Sequence, residues 1–423
     1  MSHHRRGAAV AVILLIAPLP PSPSLARTWY IRSDGSGDAP TIQAGVDSAT
    51  AGDDVLVAAG NYSWATQGLG TVQYGPTMIE VRYGIRLHSE SGAAATVLDA
   101  QQQGRVLVCR SCTGIEGFTI TGGRTLQGPA GGYGGSGGGI FCFVGQPVVA
   151  DNILHSNFAE GRGGGIATHA SSALIRSNSI LWNTAGFRTG GIDVAGGDAT
   201  IVESNTVAGN LGGGIACMNC SGTFARNIIA ESGPATGGLV DGFAMACLLF
   251  EGDSLFTQCN ILWDNSGGDA VCGTDGGGNR SDDPRFCASD PGGTEQRFLR
   301  PDSPALPQNN SCGVLIGATG QGCAVTDASD PRRPAATLSI TPNPPASKAT
   351  IRYSLAPGGR SARLAVYDLA GRLVARILDG VSRDGSITWD GRDRAGAPVS
   401  AGVYIVRLES DKSTVARKLV LVR

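Results

Sequence analysis

From residue 137 to 268 the apolar positions follow one returning phrase. Glycines lead into a single aliphatic residue: Gly137-Gly-Gly-Ile140, Gly163-Gly-Gly-Ile166, Thr189-Gly-Gly-Ile192, Gly212-Gly-Gly-Ile215 and Gly237-Gly-Leu239. The aliphatic residues are 26, 26, 23 and 24 positions apart. Later in each period comes Asn-x-apolar-x-x-Asn, starting at Asn152, Asn178, Asn205, Asn227 and Asn260. Its second polar residue is Asn157, Asn183, Asn210, Ser232 or Asn265. A period of this length marks a solenoid. Residue types decide which kind. Helical repeats need apolar spacings of three and four with few glycines. Leucine-rich repeats need a Leu-x-x-Leu-x-Leu frame, which is absent. Here the apolar segments are short, as at 140–144, 173–175, 199–202 and 260–263, and turn residues separate them. They suit strands of three to five residues. The pattern predicts a parallel β-helix of about ten or eleven coils stacked about 4.8 Å apart. Asparagines in register then bond along the stack, and glycines supply positive φ at the corners.

The flanks read differently. Residues 1–26 have the form of a secretory leader: His3, His4, Arg5 and Arg6, an apolar run from Ala8 to Ile16, and a small-x-small end at Ser24-Leu25-Ala26. That run is too short to span a membrane. Residues 41–49 predict a short amphipathic helix with Ile42, Val46 and Ala49 on one side, a candidate cap over the open end of the core. Residues 324–336 form a linker without apolar periodicity. Beyond it the chain alternates with period two at 349–355, 362–369, 403–408 and 416–422, the pattern of a small β-sandwich. The expected organisation is a leader (1–26), a β-helix (27–323), a linker (324–336) and a sandwich domain (337–423).

Charged residues are only 16% of the chain and 64 of its 423 residues are glycine, which fits a turn-rich exported solenoid. A net charge of −2 argues against a nucleic-acid partner. All eleven cysteines lie in the solenoid, so at least one is unpaired within the chain. Export favours disulfides. Cys109/Cys112 and Cys217/Cys220 lie about four coils apart, roughly 19 Å, too far to share one zinc ion. Cys142 and Cys217 read as buried small apolar residues. Cys287, Cys312 and Cys323 are the candidates for disulfides closing the last coil, in a pairing the sequence leaves open.

Two resemblances emerge. Residues 39–62, Gly117-Phe-Thr-Ile-Thr-Gly-Gly123, Asp283-Pro-Arg-Phe286, Phe298-Leu299 and Ser303-Pro-Ala305 resemble bacterial right-handed parallel β-helix proteins of the pectin-lyase-like superfamily. Thr341-Pro-Asn-Pro344, Tyr367-Asp-Leu-Ala-Gly-Arg372, Trp389-Asp-Gly391 and Ala401-Gly-Val-Tyr404 resemble the Ig-like tail shared by flagellar hook-capping proteins and type IX secretion sorting domains. The resemblances imply an all-β protein: a right-handed parallel β-helix followed by an Ig-like sandwich. They also imply a bacterial protein that is secreted or held at the outer cell surface, with the tail engaging export machinery.

Candidate chemistry follows from the glycine phrase. If its aliphatic residues point inward, alternation turns Phe141, Ala167, Asp193 and Ala216 outward, then Phe143, His169, Ala195 and Met218. Arg162 and Arg188 should stack on neighbouring coils beside them. Two stacked guanidiniums suit uronate or sulfate groups, so the candidate partner is an acidic polysaccharide or cell-surface glycan. Phe141, Phe143 and His169 are the candidate substrate contacts. Resemblance to pectate lyases implies an arginine base for β-elimination, which makes Arg162, Arg188 and Asp193 the catalytic candidates. Asp193 and Asp198 are the candidate calcium ligands. Several departures oppose an enzyme. The solenoid has no lysine from 27 to 336, no Gly-His-Gly, no Arg-Ile-Lys, no Asp-Pro-His-Asp and no Gly-Gly-x-Gly-x-Asp repeat. The competing reading is a non-catalytic surface or adhesive protein.

Overall fold

The computed structural model describes residues 26–67, 70–126, 133–234, 242–287, 297–323, 337–341, 348–354, 361–368, 372–381, 385–394, 396–410 and 414–421. The expected leader (Ala26 apart), the linker at 324–336 and the glycine phrase at 237–239 lie outside them. The chain divides into two compact units, Met1–Val325 and Thr326–Arg423.

The first unit is a parallel β-helix. One coil runs Val148–Ala150, Ile153–His155, Phe158–Ala159 and Ile166–His169. Stacked coils build three long sheets. Sheet I has ten strands, from Thr28–Ile31 to Thr274–Asp275. Sheet II has eight, from Gly60–Ser63 to Ile261–Trp263. Sheet III also has eight, ending at Met245–Leu248 and starting with an antiparallel hairpin of Gly70–Val72 and Gly75–Val81. The register is the sequence period as far as Ile215: Ile140 pairs with Ile166, Ile166 with Ile192, and Ile192 with Ile215. The next partner is Met245 rather than the expected Leu239, because the segment between the two coils is longer than the period. All five side chains are buried. Each contributes about 1.5–3 kcal/mol by leaving water.

Two asparagine ladders run inside the corners. In the first, the side-chain Nδ2 of Asn152, Asn178, Asn205, Asn227 and Asn260 donates to Oδ1 of the next member at 2.9–3.1 Å, and Asn279 ends the row. The second joins Asn157, Asn183 and Asn210. Ser232 interrupts it, and its buried hydroxyl lacks a partner. The corners differ from expectation. The residue before each ladder position has positive φ, and most of these residues are not glycine: Asp151, Ser177, Ser204, Arg226 and Cys259 in one row, Ser156, Trp182, Glu231 and Asp264 in the other. A left-handed conformation costs such residues about 1–2 kcal/mol each. The ladder bonds offset that cost, because the Oδ1 atoms also accept a backbone N–H from the neighbouring coil, as Asn178 does from Asn152 at 3.1 Å and Asn152 does from Phe118 at 3.0 Å.

The N-terminal end is closed. The helix Ile42–Ser48, capped by Thr41 Oγ1, covers the first coil. Gly45 lets the helix sit close to the first strand, since a Cβ would lie 2.6 Å from Ile31 Cδ1 and push that side chain aside. A C-terminal strap covers the outer face of sheet II, where Leu299, Ala305, Leu306 and Ile316 pack on Leu181, Ala208, Ile228 and Ile261. Two disulfides staple that strap, Cys259–Cys312 and Cys287–Cys323. Cys109–Cys112, Cys217–Cys220 and Cys247–Cys272 also form. Cys217 is therefore disulfide-bonded rather than a free apolar filler. Cys142 is free and buried, and burial pushes its thiol up to about 12.

The second unit has a three-stranded sheet (Thr337–Thr341, Ala349–Ser354, Gly385–Trp389) and a four-stranded one (Leu373–Val381, Ser361–Asp368, Gly402–Ser410, Thr414–Leu421). All pairs are antiparallel. Ile351, Leu364, Val366, Val406, Leu408 and Leu419 form its core.

Candidate functional site

The outer face of sheet III carries two columns. One runs Glu80, Val108, Phe141, Ala167, Asp193, Ala216 and Ala246. The other runs Arg110, Phe143, His169, Ala195, Met218 and Leu248. At the N-terminal end five rings gather. Tyr74 comes from the hairpin turn and Tyr133 from a 3-10 turn at Tyr133–Gly135. Tyr74 lies 5.5 Å from Phe141 and 5.3 Å from Phe143 between ring centroids. Tyr133 stacks on Phe141 at 5.7 Å and sits 4.2 Å from His169. Phe143 and His169 stack with nearly parallel planes, 7° apart at 5.9 Å. Tyr74 and Phe141 are buried and form a floor; Tyr133, Phe143 and His169 are half-buried and form the surface.

Arg162 adds a positive charge close enough to act on His169. The Tyr133 hydroxyl hydrogen-bonds His169 Nε2 at 2.6 Å. His169 Nδ1 is buried without a partner. Burial, and then the charge of Arg162, hold the His169 pKa below 6.5. Arg162 itself is half-buried. Arg105 lies fully buried near the floor, its guanidinium carbon 5.3 Å from the Phe141 ring centroid.

Of the sequence-predicted residues, the structure brings Phe141, Phe143 and His169 into one cluster, with Arg162 beside His169. It does not assemble the rest. The expected clamp of two stacked guanidiniums is absent, because Arg188 turns onto Asp193. Its Nε and Nη2 each bond one Asp193 oxygen at 2.5 Å, and the side chains are 6% and 1% exposed. A buried carboxylate already neutralised by a guanidinium on both oxygens would have to take calcium against that fixed positive charge. Asp198 is exposed. No group of three or more His, Cys, Asp or Glu suited to a metal occurs among the described residues. The calcium site expected at Asp193 and Asp198 therefore does not fit. Arg188 and Asp193 are likewise too buried and too tightly paired to act as base and ligand.

Sequence reasoning missed Tyr74, Tyr133 and Arg105. Tyr133 is set in a glycine-rich stretch that hides its neighbours. Arg105 carried a usable signal: a lone arginine heading the apolar run Val106-Leu107-Val108.

The comparisons bear on the other unit. Residues 338–414 match the FlgD Ig-like domain. In the FlgD Ig-like unit Trp389 packs edge-on against Tyr404 at 6.1 Å, and its Nε1 donates to the Arg392 carbonyl at 2.9 Å. Among solved structures, dimeric latent PorU from Porphyromonas gingivalis is similar at 25% identity over 21% of this chain and 9% of its own, with a TM-score of 0.18. PorZ, a bacterial surface component of the type-IX secretion system of the same organism, is similar at 24% identity over 20% of this chain and 11% of its own, with a TM-score of 0.17. The chain thus spans only about a tenth of either protein. No curated protein matches the chain. No helix among the described residues is long and apolar enough to cross a membrane.

Proposed function

We propose that this is a secreted or cell-surface protein whose β-helix binds an acidic polysaccharide across the outer face of sheet III. The observation that carries the reading is the five-ring cluster with Arg162 at its edge. Half-exposed ring faces suit the apolar faces of sugar rings. A neighbouring guanidinium suits their carboxylate or sulfate groups. The pectin-lyase-like resemblance of the solenoid points to the same class of ligand. Five disulfides and the leader-like residues 1–26 support export. The FlgD Ig-like unit is read as the part that meets export machinery.

Binding without cleavage is the form we favour. Asp193 is the one acid near the predicted arginines on this strand, and it is neutralised by Arg188. A second reading, a stiff surface spacer, draws on Tyr74 and Phe141, which are buried and help join the first coils of sheet III. The test is a screen of the full-length chain against pectate, alginate and sulfated glycans, with and without calcium. It scores retention on the polymer and release of unsaturated or reducing ends. Retention without release is expected. Release of ends would restore an enzyme, and no retention on any polymer would favour the spacer.

A further inference from the structure

Among the described residues, Arg105 is the largest fully buried side chain. Burying a cation is costly unless its charge is matched and its donors are satisfied. None of its hydrogen bonds goes to a carboxylate. Nε reaches the Ser136 and Gly137 carbonyls, both at 3.0 Å. Nη1 reaches the Tyr74 carbonyl and Thr77 Oγ1, both at 3.2 Å. Nη2 reaches the carbonyls of Tyr133 at 3.2 Å, Gly134 at 3.1 Å and Ser136 at 2.7 Å. All the guanidinium's donors are thus spent on neutral oxygens. A methionine would fill similar space without the desolvation cost. What arginine alone supplies is a planar fork that gathers carbonyls from two separate turns.

Those turns carry the two tyrosines of the aromatic face. The hairpin tip presents Tyr74 and the 3-10 turn presents Tyr133, and neither ring lies on a solenoid strand. Gly104, the preceding residue, lets the hairpin come this close. A Cβ there would lie 2.5 Å from the Pro76 carbonyl oxygen. Without the guanidinium, the Tyr74, Gly134 and Ser136 carbonyls lose its donors, while the Tyr133 carbonyl keeps the Ser136 N–H at 3.1 Å. Buried carbonyls without partners are avoided.

We propose that Arg105 is the positioning residue of the aromatic face: it ties the Tyr74 and Tyr133 turns to the solenoid by their backbone carbonyls and so sets the spacing of the rings. The inference rests on the binding reading for its consequence, but its structural half can be tested without a ligand. Burial brings Arg105 down to about 9, so it keeps its charge at neutral pH.

The experiment compares the full-length chain with Arg105→Met, Arg105→Lys and Tyr133→Ala. Hydrogen exchange is read in peptides covering 70–81, 133–143 and 152–210, and affinity is measured for polygalacturonate. Arg105→Met should speed exchange across 133–138 more than about tenfold, leave 152–210 within about twofold, and weaken polygalacturonate about as much as Tyr133→Ala does. Arg105→Lys keeps the charge and fewer donors, so it should fall between. Exchange at 133–138 unchanged in Arg105→Met overturns the proposal, as does equal behaviour of Lys and Met. Should Arg105→Met fail to fold, Arg105→Lys decides: faster exchange confined to the two turns supports the proposal, and faster exchange throughout the solenoid refutes it. If Tyr133→Ala binds as the parent does, the binding reading fails, while the exchange data still judge Arg105.

Discussion

The first asparagine ladder makes a quantitative prediction at Asn178, which is fully buried in mid-row. Its Oδ1 accepts the Asn152 backbone N–H and Asn152 Nδ2, both at 3.1 Å. Its Nδ2 donates to the Val149 carbonyl at 2.8 Å, the Arg176 carbonyl at 2.9 Å and Asn205 Oδ1 at 3.0 Å. Asn178→Ala removes all five bonds. Asn152 Nδ2 keeps the Ile115 carbonyl, but the Asn152 N–H loses its acceptor and the Val149 and Arg176 carbonyls each lose a donor. A buried group left unpaired costs about 1–3 kcal/mol. The left-handed Ser177 also loses the contacts that offset its φ of 57°. A loss of about 3–5 kcal/mol follows. Asn178→Asp sharpens the argument. It keeps both accepted bonds yet turns the three donated ones into contacts between a carboxylate and other oxygens. It should therefore be at least as harmful as alanine. The assay is urea unfolding followed by far-ultraviolet circular dichroism under oxidising conditions. A cost below about 1 kcal/mol for Asn178→Ala, the scale of an ordinary surface substitution, would refute the reasoning, as would an aspartate variant close to the parent.

Three further outcomes are expected. Arg188→Met alone should cost about 3–5 kcal/mol because it strands the buried Asp193 carboxylate, and Arg188→Met with Asp193→Leu should recover most of that loss; additive losses in thermal unfolding would contradict this. The His169 pKa is held below 6.5. The unfolded chain therefore binds the proton more readily between the two pKa values, so the contribution of a neutral His169 is complete above 6.5 and is lost as pH falls through the lower folded value. His169→Gln should flatten that part of the stability–pH curve, and an unchanged curve would count against it. Reducing Cys259–Cys312 and Cys287–Cys323 should release the strap over sheet II at a cost of about 2–4 kcal/mol per bond. Hydrogen exchange at 228–230 should then rise before exchange at 153–155.

The solenoid was legible because its register is written in residue types. Glycine before isoleucine and asparagine five residues before asparagine recur from coil to coil through the middle of the solenoid, and the same isoleucines pair in the structure. Asn279, the last ladder member, was hidden because no apolar strand follows it to complete the phrase. In the second unit four strands were evident from alternation. Strands at 337–341, 373–381 and 385–389 were not, being short, bulged or flanked by glycine. Alternation correctly turned Phe141, Phe143, His169 and Asp193 toward one face. It could not say that Arg188 would reach back five residues to Asp193. Nor could it say that Tyr74 and Tyr133, from turns outside the repeat, would complete the cluster. Contacts between a repeat and its insertions carry no period.

The central claim is that sheet III binds an acidic polymer through its rings and Arg162. Isothermal titration of oligogalacturonate into the full-length chain tests it most directly, alongside Tyr133→Ala, Phe143→Ala and Arg162→Ala. Ile201→Ala, on the outer face of sheet I, serves as the remote control. The account predicts saturable binding by the parent and the control. Each ring variant should bind about tenfold more weakly, a loss near 1.4 kcal/mol for an aromatic contact, and added salt should weaken the parent more than Arg162→Ala. Equal affinity across all five proteins, or no binding by the parent, would contradict it.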